Sequence, residues 1–142
     1  MIVSPYILVM IASWVVAQGA KYLLIAIKHR TLNGFRQLYL SGNMPSAHSA
    51  TVVSVATLIG LREGPGSAIF GLALTLAGIV MYDAVMVRRS VGEQGLAIQE
   101  LIRIAKNGVV IPRAAKGHTP LEVLVGAMLG VVVGLVVFIA TK

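Results

Sequence analysis

Cysteine is absent from the chain, which rules out disulfides, thiolate metal sites and thiol chemistry and leaves the redox compartment unreadable. Charge is scarce as well. Only 12% of the 142 residues are Asp, Glu, Lys or Arg, against roughly a quarter in ordinary soluble domains. Five residues are acidic and none stands in a His-Glu-x-x-His arrangement, so the zinc-hydrolase spacing is missing and no metal ligand set is expected. No basic stretch is interleaved with aromatics. The net charge of +7 therefore does not read as a nucleic-acid surface, and no nucleic-acid partner is expected. The opening run from Met1 to Leu24 lacks the basic leader of a secretory signal and is longer than a signal core, so it is expected to stay as a first membrane helix.

What fills the chain is apolar: 57% of it is hydrophobic. A soluble fold of this size leaves too much surface exposed to hide that content, whereas lipid accepts it. Four apolar runs stand out, Pro5 to Ile27, Ala47 to Leu61, Ser67 to Val87 and Leu121 to Ala140. Three have the roughly 20 residues needed to cross a hydrocarbon core. The second is short and carries His48, Ser49, Thr51, Ser54 and Thr57, small and hydroxyl side chains suited to the inside of a helix bundle. Glu93 to Lys106 reads as an amphipathic helix, with Leu96, Ile98, Leu101, Ile102 and Ala105 at helical spacing, lying on the membrane surface or over a site; Asn107-Gly108 ends it. The expected fold is all-α, one membrane domain spanning residues 1–142, with about four transmembrane helices plus this amphipathic one.

The connections differ. Arg62 to Gly66 is a tight turn, while His29 to Pro45 and Arg88 to Thr119 are longer and basic. Four crossings put the two basic connections on one side, which the positive-inside rule assigns to the cytoplasm of a multi-pass cell-membrane protein, with both termini outside.

Three places hold polar groups at helix ends on that basic side: Lys21 with Lys28, then Pro45-Ser46-Ala47-His48, then His118-Thr119-Pro120-Leu121-Glu122. Singly, each has a structural explanation. Lys21 can snorkel to the interface along its apolar stem. Ser46 can be an N-cap, His48 a packed core histidine, and Thr119 to Glu122 a capping box with Pro at the first helical position. Together they describe something else. Helix N-termini carry unpaired amides and a positive dipole end. Two such ends, each with a histidine, joined by a lysine from a third helix, would bind an anion and transfer protons. Glu122, one turn from His118, would fix the imidazole tautomer. Asp83, near the end of an apolar run, is a functional candidate by position and reads as the ion-pair partner that positions Arg88 and Arg89.

The series Lys21-x6-Lys28, Pro45-Ser46-Ala47-His48 and His118-x3-Glu122 resembles the type 2 phosphatidic acid phosphatase and vanadium haloperoxidase superfamily, whose pattern is Lys-x6-Arg-Pro, Pro-Ser-Gly-His and Ser-Arg-x5-His-x3-Asp. The stretch Tyr82 to Gln94 looks like the signature of its small divergent branch of membrane proteins related to acid phosphatase and vanadium-dependent haloperoxidase. The resemblance implies a phosphohistidine mechanism without cofactor or metal: His118 as nucleophile, Glu122 holding its ring, His48 as acid and base. Lys21, Lys28, Ser46 and the Ala47 amide would bind phosphoryl oxygens. Lys28, Ala47 and Glu122 replace the family's arginine, glycine and aspartate, and His29 stands in place of proline. Pro112 stands where the family has the arginine six before the late histidine; Arg113, Arg88 and Arg89 are the candidates to supply that cation. The expected partners are membrane lipid and a lipid-phosphate or polyprenyl-phosphate substrate, self-association being left open. Two other classes compete: a lipid-phosphate binding or transport protein that lacks catalysis, and a small structural membrane subunit.

Overall fold

A computed structural model describes residues 4–29, 44–105, 108–112, 114 and 117–142. Arg30, Arg36, Lys106, Asn107, Arg113 and Lys116 lie outside the described residues. Helix α1 spans Pro5–His29, α2 Ala47–Glu63, α3 Ala68–Tyr82, α4 Arg88–Ala105 and α5 Pro120–Ala140, and one wide π-helical turn, Asp83–Val87, joins α3 to α4. Among the described residues no strand occurs.

Three stretches are long and apolar enough to cross a membrane: Pro5–Lys28, Ala68–Ala105 and Pro120–Ala140. Their large side chains, among them Leu23, Leu72, Ile79, Leu124, Met128 and Ile139, are exposed; in water that surface would aggregate, and in lipid it is solvated. Helix α2 has 17 residues, about 25 Å at the helical rise, slightly short of a roughly 30 Å core. It forms the centre of the bundle, packing against α1, α3 and most extensively against α5.

Small residues let α2 and α5 approach. A Cβ added at Gly126 would lie 2.5 Å from the Ser46 carbonyl oxygen, one at Gly130 2.5 Å from the Ala50 oxygen, and one at Gly134 2.8 Å from the Thr57 Cβ. Glycine every fourth residue thus forms a groove into which Ser46, Ala50 and Ser54 fit backbone to backbone, the packing that replaces hydrophobic drive in membranes. Residue numbers rise together along this contact, so α2 and α5 run parallel and their N-termini share one end.

Helix α1 runs the other way. Val9 packs with Leu58, Val133 and Val137, and Ala17 with Ala47 and Ala50. Its buried stripe is Val9, Ser13, Ala17, Lys21 and Ile25, one residue per turn. The end away from the N-termini of α2 and α5 is tied by Tyr6 donating to Glu63 at 2.6 Å and by Arg62 donating to the carbonyl and hydroxyl oxygens of Thr141, each at 2.7 Å. The start of α1 and the ends of α2 and α5 therefore lie together at that end.

The amphipathic segment begins earlier than its sequence pattern suggests, at Arg88, and continues α3 through the wide turn into one 38-residue helical stretch. At 1.5 Å per residue that is about 57 Å, well beyond a hydrocarbon core, so α4 reaches past the membrane. A returning segment is laid along it. Gln99 donates to the Pro112 oxygen at 2.7 Å, Ala114 sits against Gly95, Gly117 against the backbone of Arg88 and Arg89, and the His118 amide donates to the Ala84 oxygen at 3.1 Å. Side chains at Gly117 would collide with the α4 backbone. The anchors descend from 99 to 84 as the strap ascends from 112 to 118.

Candidate functional site

The strap delivers His118 to the end where α2 and α5 begin. Thr119 caps α5: its hydroxyl oxygen accepts from the Glu122 amide at 3.3 Å, and its own amide donates to Glu122 Oε2 at 3.0 Å. The same Oε2 faces His118 Nδ1 at 3.1 Å. Capping and imidazole orientation are therefore one arrangement rather than alternatives. A carboxylate only accepts, so Nδ1 carries the proton and Nε2 keeps its lone pair. His118 is 6% exposed. That burial holds its imidazolium below the usual histidine range, with the Glu122 hydrogen bond pulling the other way.

On α2, Ser46 is the N-cap: its hydroxyl oxygen accepts from the Ser49 amide at 3.4 Å and from the Ser49 hydroxyl at 2.9 Å. Its amide donates to the Glu122 carbonyl at 3.1 Å, joining the first turns of α2 and α5. Two helix N-termini of the same polarity are thus set side by side, a concentration of positive potential that favours an anion. Ala47 is buried and His48, next along, is exposed. His48 lies within electrostatic reach of His118, Lys21, Arg88 and Asp83, which places both imidazoles at the same end of the bundle.

Lys21 is packed inside the bundle rather than laid along its outer surface. It is 5% exposed, within electrostatic reach of Glu122 and His118, yet among the described residues no carboxylate pairs with its ammonium. Buried cations are ordinarily paired, because desolvation is costly.

Of the remaining sequence candidates, Asp83 accepts from Arg88 Nε at 2.6 Å, the pairing expected, and the wide turn brings these residues, five apart, onto one face. Arg88 acts electrostatically on both His48 and His118. Arg89 pairs with Glu93 at 3.1 Å on the exposed side of α4, and its backbone carries the strap. Lys28, two turns beyond Lys21, is exposed and not drawn into the cluster. Arg113 lies outside the described residues. No three histidines or carboxylates among the described residues gather as a metal ion would need.

Two features escaped sequence reasoning. The Gly126, Gly130 and Gly134 ladder was signalled by Gly-x3-Gly spacing in an apolar run. Gln18, an amide in the middle of the first apolar run, stands three residues before Lys21, and its carbonyl oxygen is buried with no hydrogen-bond partner among the described residues.

No solved structure matches the chain. The "Uncharacterized membrane protein YuiD" of Bacillus subtilis (strain 168) is 35% identical over 111 residues, covering 68% of this chain and 70% of that protein. The pattern of one family extends over residues 2–133, almost the whole sequence. The chain is therefore a membrane protein that belongs to the Divergent PAP2 family.

Proposed function

We propose that the protein is a phosphoric monoester hydrolase acting on a lipid phosphate or isoprenoid (pyro)phosphate at the membrane surface, through a phosphohistidine on His118. The observation that carries this reading is the buried Lys21 side chain, with no ion-pair partner among the described residues, at the same end as two imidazoles and two helix N-termini. An anion supplied from outside completes that charge distribution.

In the proposed reaction the His118 Nε2 lone pair attacks phosphorus as the ester P–O bond breaks, and His48 protonates the departing alkoxide. His48 then takes a proton from water, whose oxygen attacks phosphorus as the P–N bond breaks, releasing inorganic phosphate and restoring the imidazole. Glu122 stabilises the imidazolium that forms when Nε2 is phosphorylated. Lys21, the Ser46 hydroxyl and the first-turn amides including that of Ala47 neutralise charge on the phosphoryl oxygens, whereas Lys28, exposed two turns beyond Lys21, stays outside the set. Arg88, held by Asp83, takes the place of the arginine absent at position 112; Arg89 and Arg113 are the other candidates. Neither metal nor cofactor enters the scheme. By the positive-inside rule the site faces the cytoplasm of the cell membrane.

Phosphate release from a lipid phosphomonoester in detergent, without divalent metal, tests the reading. His118→Ala is expected to abolish it. Binding of such lipids with no turnover by the unaltered protein sinks the enzyme reading and leaves the second one, a lipid-phosphate binding or transport protein. That second reading is favoured by Pro112 and by the engagement of Arg88 and Arg89 with their own carboxylates.

A further inference from the structure

We infer that Gln18 is a substrate-binding residue, accepting a hydrogen bond from a hydroxyl or amide N–H near the phosphate ester. The inference deepens the lipid-phosphate reading and rests on it. The Gln18 carbonyl oxygen is buried and has no donor among the described residues, a state that costs free energy and is uncommon in native structures. Its position explains what would relieve it. Gln18 and Lys21 are three residues apart on α1, about 60° around the helix, and such side chains are neighbours. Ala17, beside it, packs against Ala47 and Ala50 in the first turn of α2.

The C-terminal end of α1 is its site end, so Gln18 lies about 4.5 Å deeper along the axis than Lys21. A lipid phosphate enters with its charged group at the level of Lys21, Ser46 and His118 and its chain directed inward. The carbons next to the ester oxygen then lie at the level of Gln18. Ionised phosphoryl oxygens only accept and cannot satisfy an oxygen there; an O–H or N–H on the neighbouring carbons can. The substrate class is thus a phosphomonoester with a donor within a few bonds of the ester. A polyprenyl phosphate, whose chain carries no donor, leaves the oxygen stranded. Sites built to hydrogen-bond a substrate group discriminate strongly against analogues lacking it.

The test compares 1-acyl-glycerol 3-phosphate with its 2-deoxy analogue of the same chain length, in detergent, by phosphate release and by equilibrium binding. The unaltered protein is expected to prefer the hydroxyl-bearing lipid by about tenfold or more. Gln18→Leu, with the near-isosteric Gln18→Met as a second variant should the first fail to fold, is expected to bring the two lipids within about twofold of each other. Equal handling of the two lipids by the unaltered protein overturns the inference. So does a preference that survives both substitutions, or an equal loss for both lipids, which would mean that the amide serves the phosphoryl group. Binding separates this outcome from failure of the enzyme reading: selective binding without phosphate release upholds Gln18 recognition while removing catalysis.

Discussion

Gly126→Ala tests the junction on which the site is built. The added methyl would lie 2.5 Å from the Ser46 oxygen and 3.2 Å from its Cβ and N, whereas ordinary contact begins near 3.4 Å. The obstacle is backbone, so the first turns of α2 and α5 must part by about 0.9 Å. Overpacking of this kind costs about 1–3 kcal/mol, against a helical preference for alanine over glycine of about 0.5–1 kcal/mol. The net effect expected is a loss of about 0–2.5 kcal/mol. Gly19→Ala, with nothing within 4 Å of its added methyl, receives the preference without the clash and is expected to gain a few degrees in thermal unfolding. Function should suffer more than stability. The same displacement lengthens the bond from the Ser46 amide to the Glu122 carbonyl and moves His48 relative to His118, and misplacement by about 1 Å can cost about a hundredfold in rate. The assays are detergent-solubilised thermal unfolding and phosphate release for both variants. If Gly126→Ala is as stable and as active as Gly19→Ala, the two helix ends do not meet as described and the site has no foundation.

Lys21→Met is expected to raise the unfolding temperature, because it replaces a buried cationic side chain that has no ion-pair partner among the described residues, while weakening vanadate or phosphate binding at least about tenfold; a destabilised variant with unchanged anion binding contradicts the assignment. The nucleophile must be neutral, so the acid limb of kcat/KM should rise through a midpoint below the usual histidine range, with a fall at higher pH as His48, the acid, loses its proton. Glu122→Gln removes the influence that raises the His118 pKa, so that midpoint should move further toward acid as the rate falls; a move toward alkali refutes the pairing. Asp83→Asn breaks an exposed ion pair worth at most about 1 kcal/mol, so thermal unfolding should barely change while KM rises severalfold. Because the chain has no cysteine, single substitutions report sidedness. In intact cells an impermeant maleimide should label Gly66→Cys and spare Arg103→Cys, and the reverse pattern would put the site outside.

The parts of this architecture legible in the sequence were those written in local chemistry. Thr119, Pro120 and Glu122 announce a helix start by residue type alone, and Ser46 before an apolar run does the same. Lipid-facing and core-facing surfaces are both apolar, so periodicity could not say which face of α1 or α5 is buried. The mark of burial here is small size, as at Ser13, Ala17, Gly126 and Gly130, rather than hydrophobicity. The continuity of α3 with α4 was hidden for a different reason. Polarity changes abruptly at Asp83, Arg88 and Arg89, which reads as a connection, although the helix only leaves the membrane there. The burial of Lys21 is a tertiary fact; in isolation its long stem equally suits snorkelling.

The parallel course of α2 and α5 has a mechanical consequence. Neighbouring rods that travel the same way present like poles to each other, and glycine contact along their length leaves no room for either to turn aside. Under the proposed function, a doubly charged phosphate seated between the two starting points would work as a keystone, drawing together ends that otherwise push apart. Occupancy and rigidity should therefore rise as one quantity, with the far end, fastened by Arg62 and Tyr6, serving as the fixed abutment.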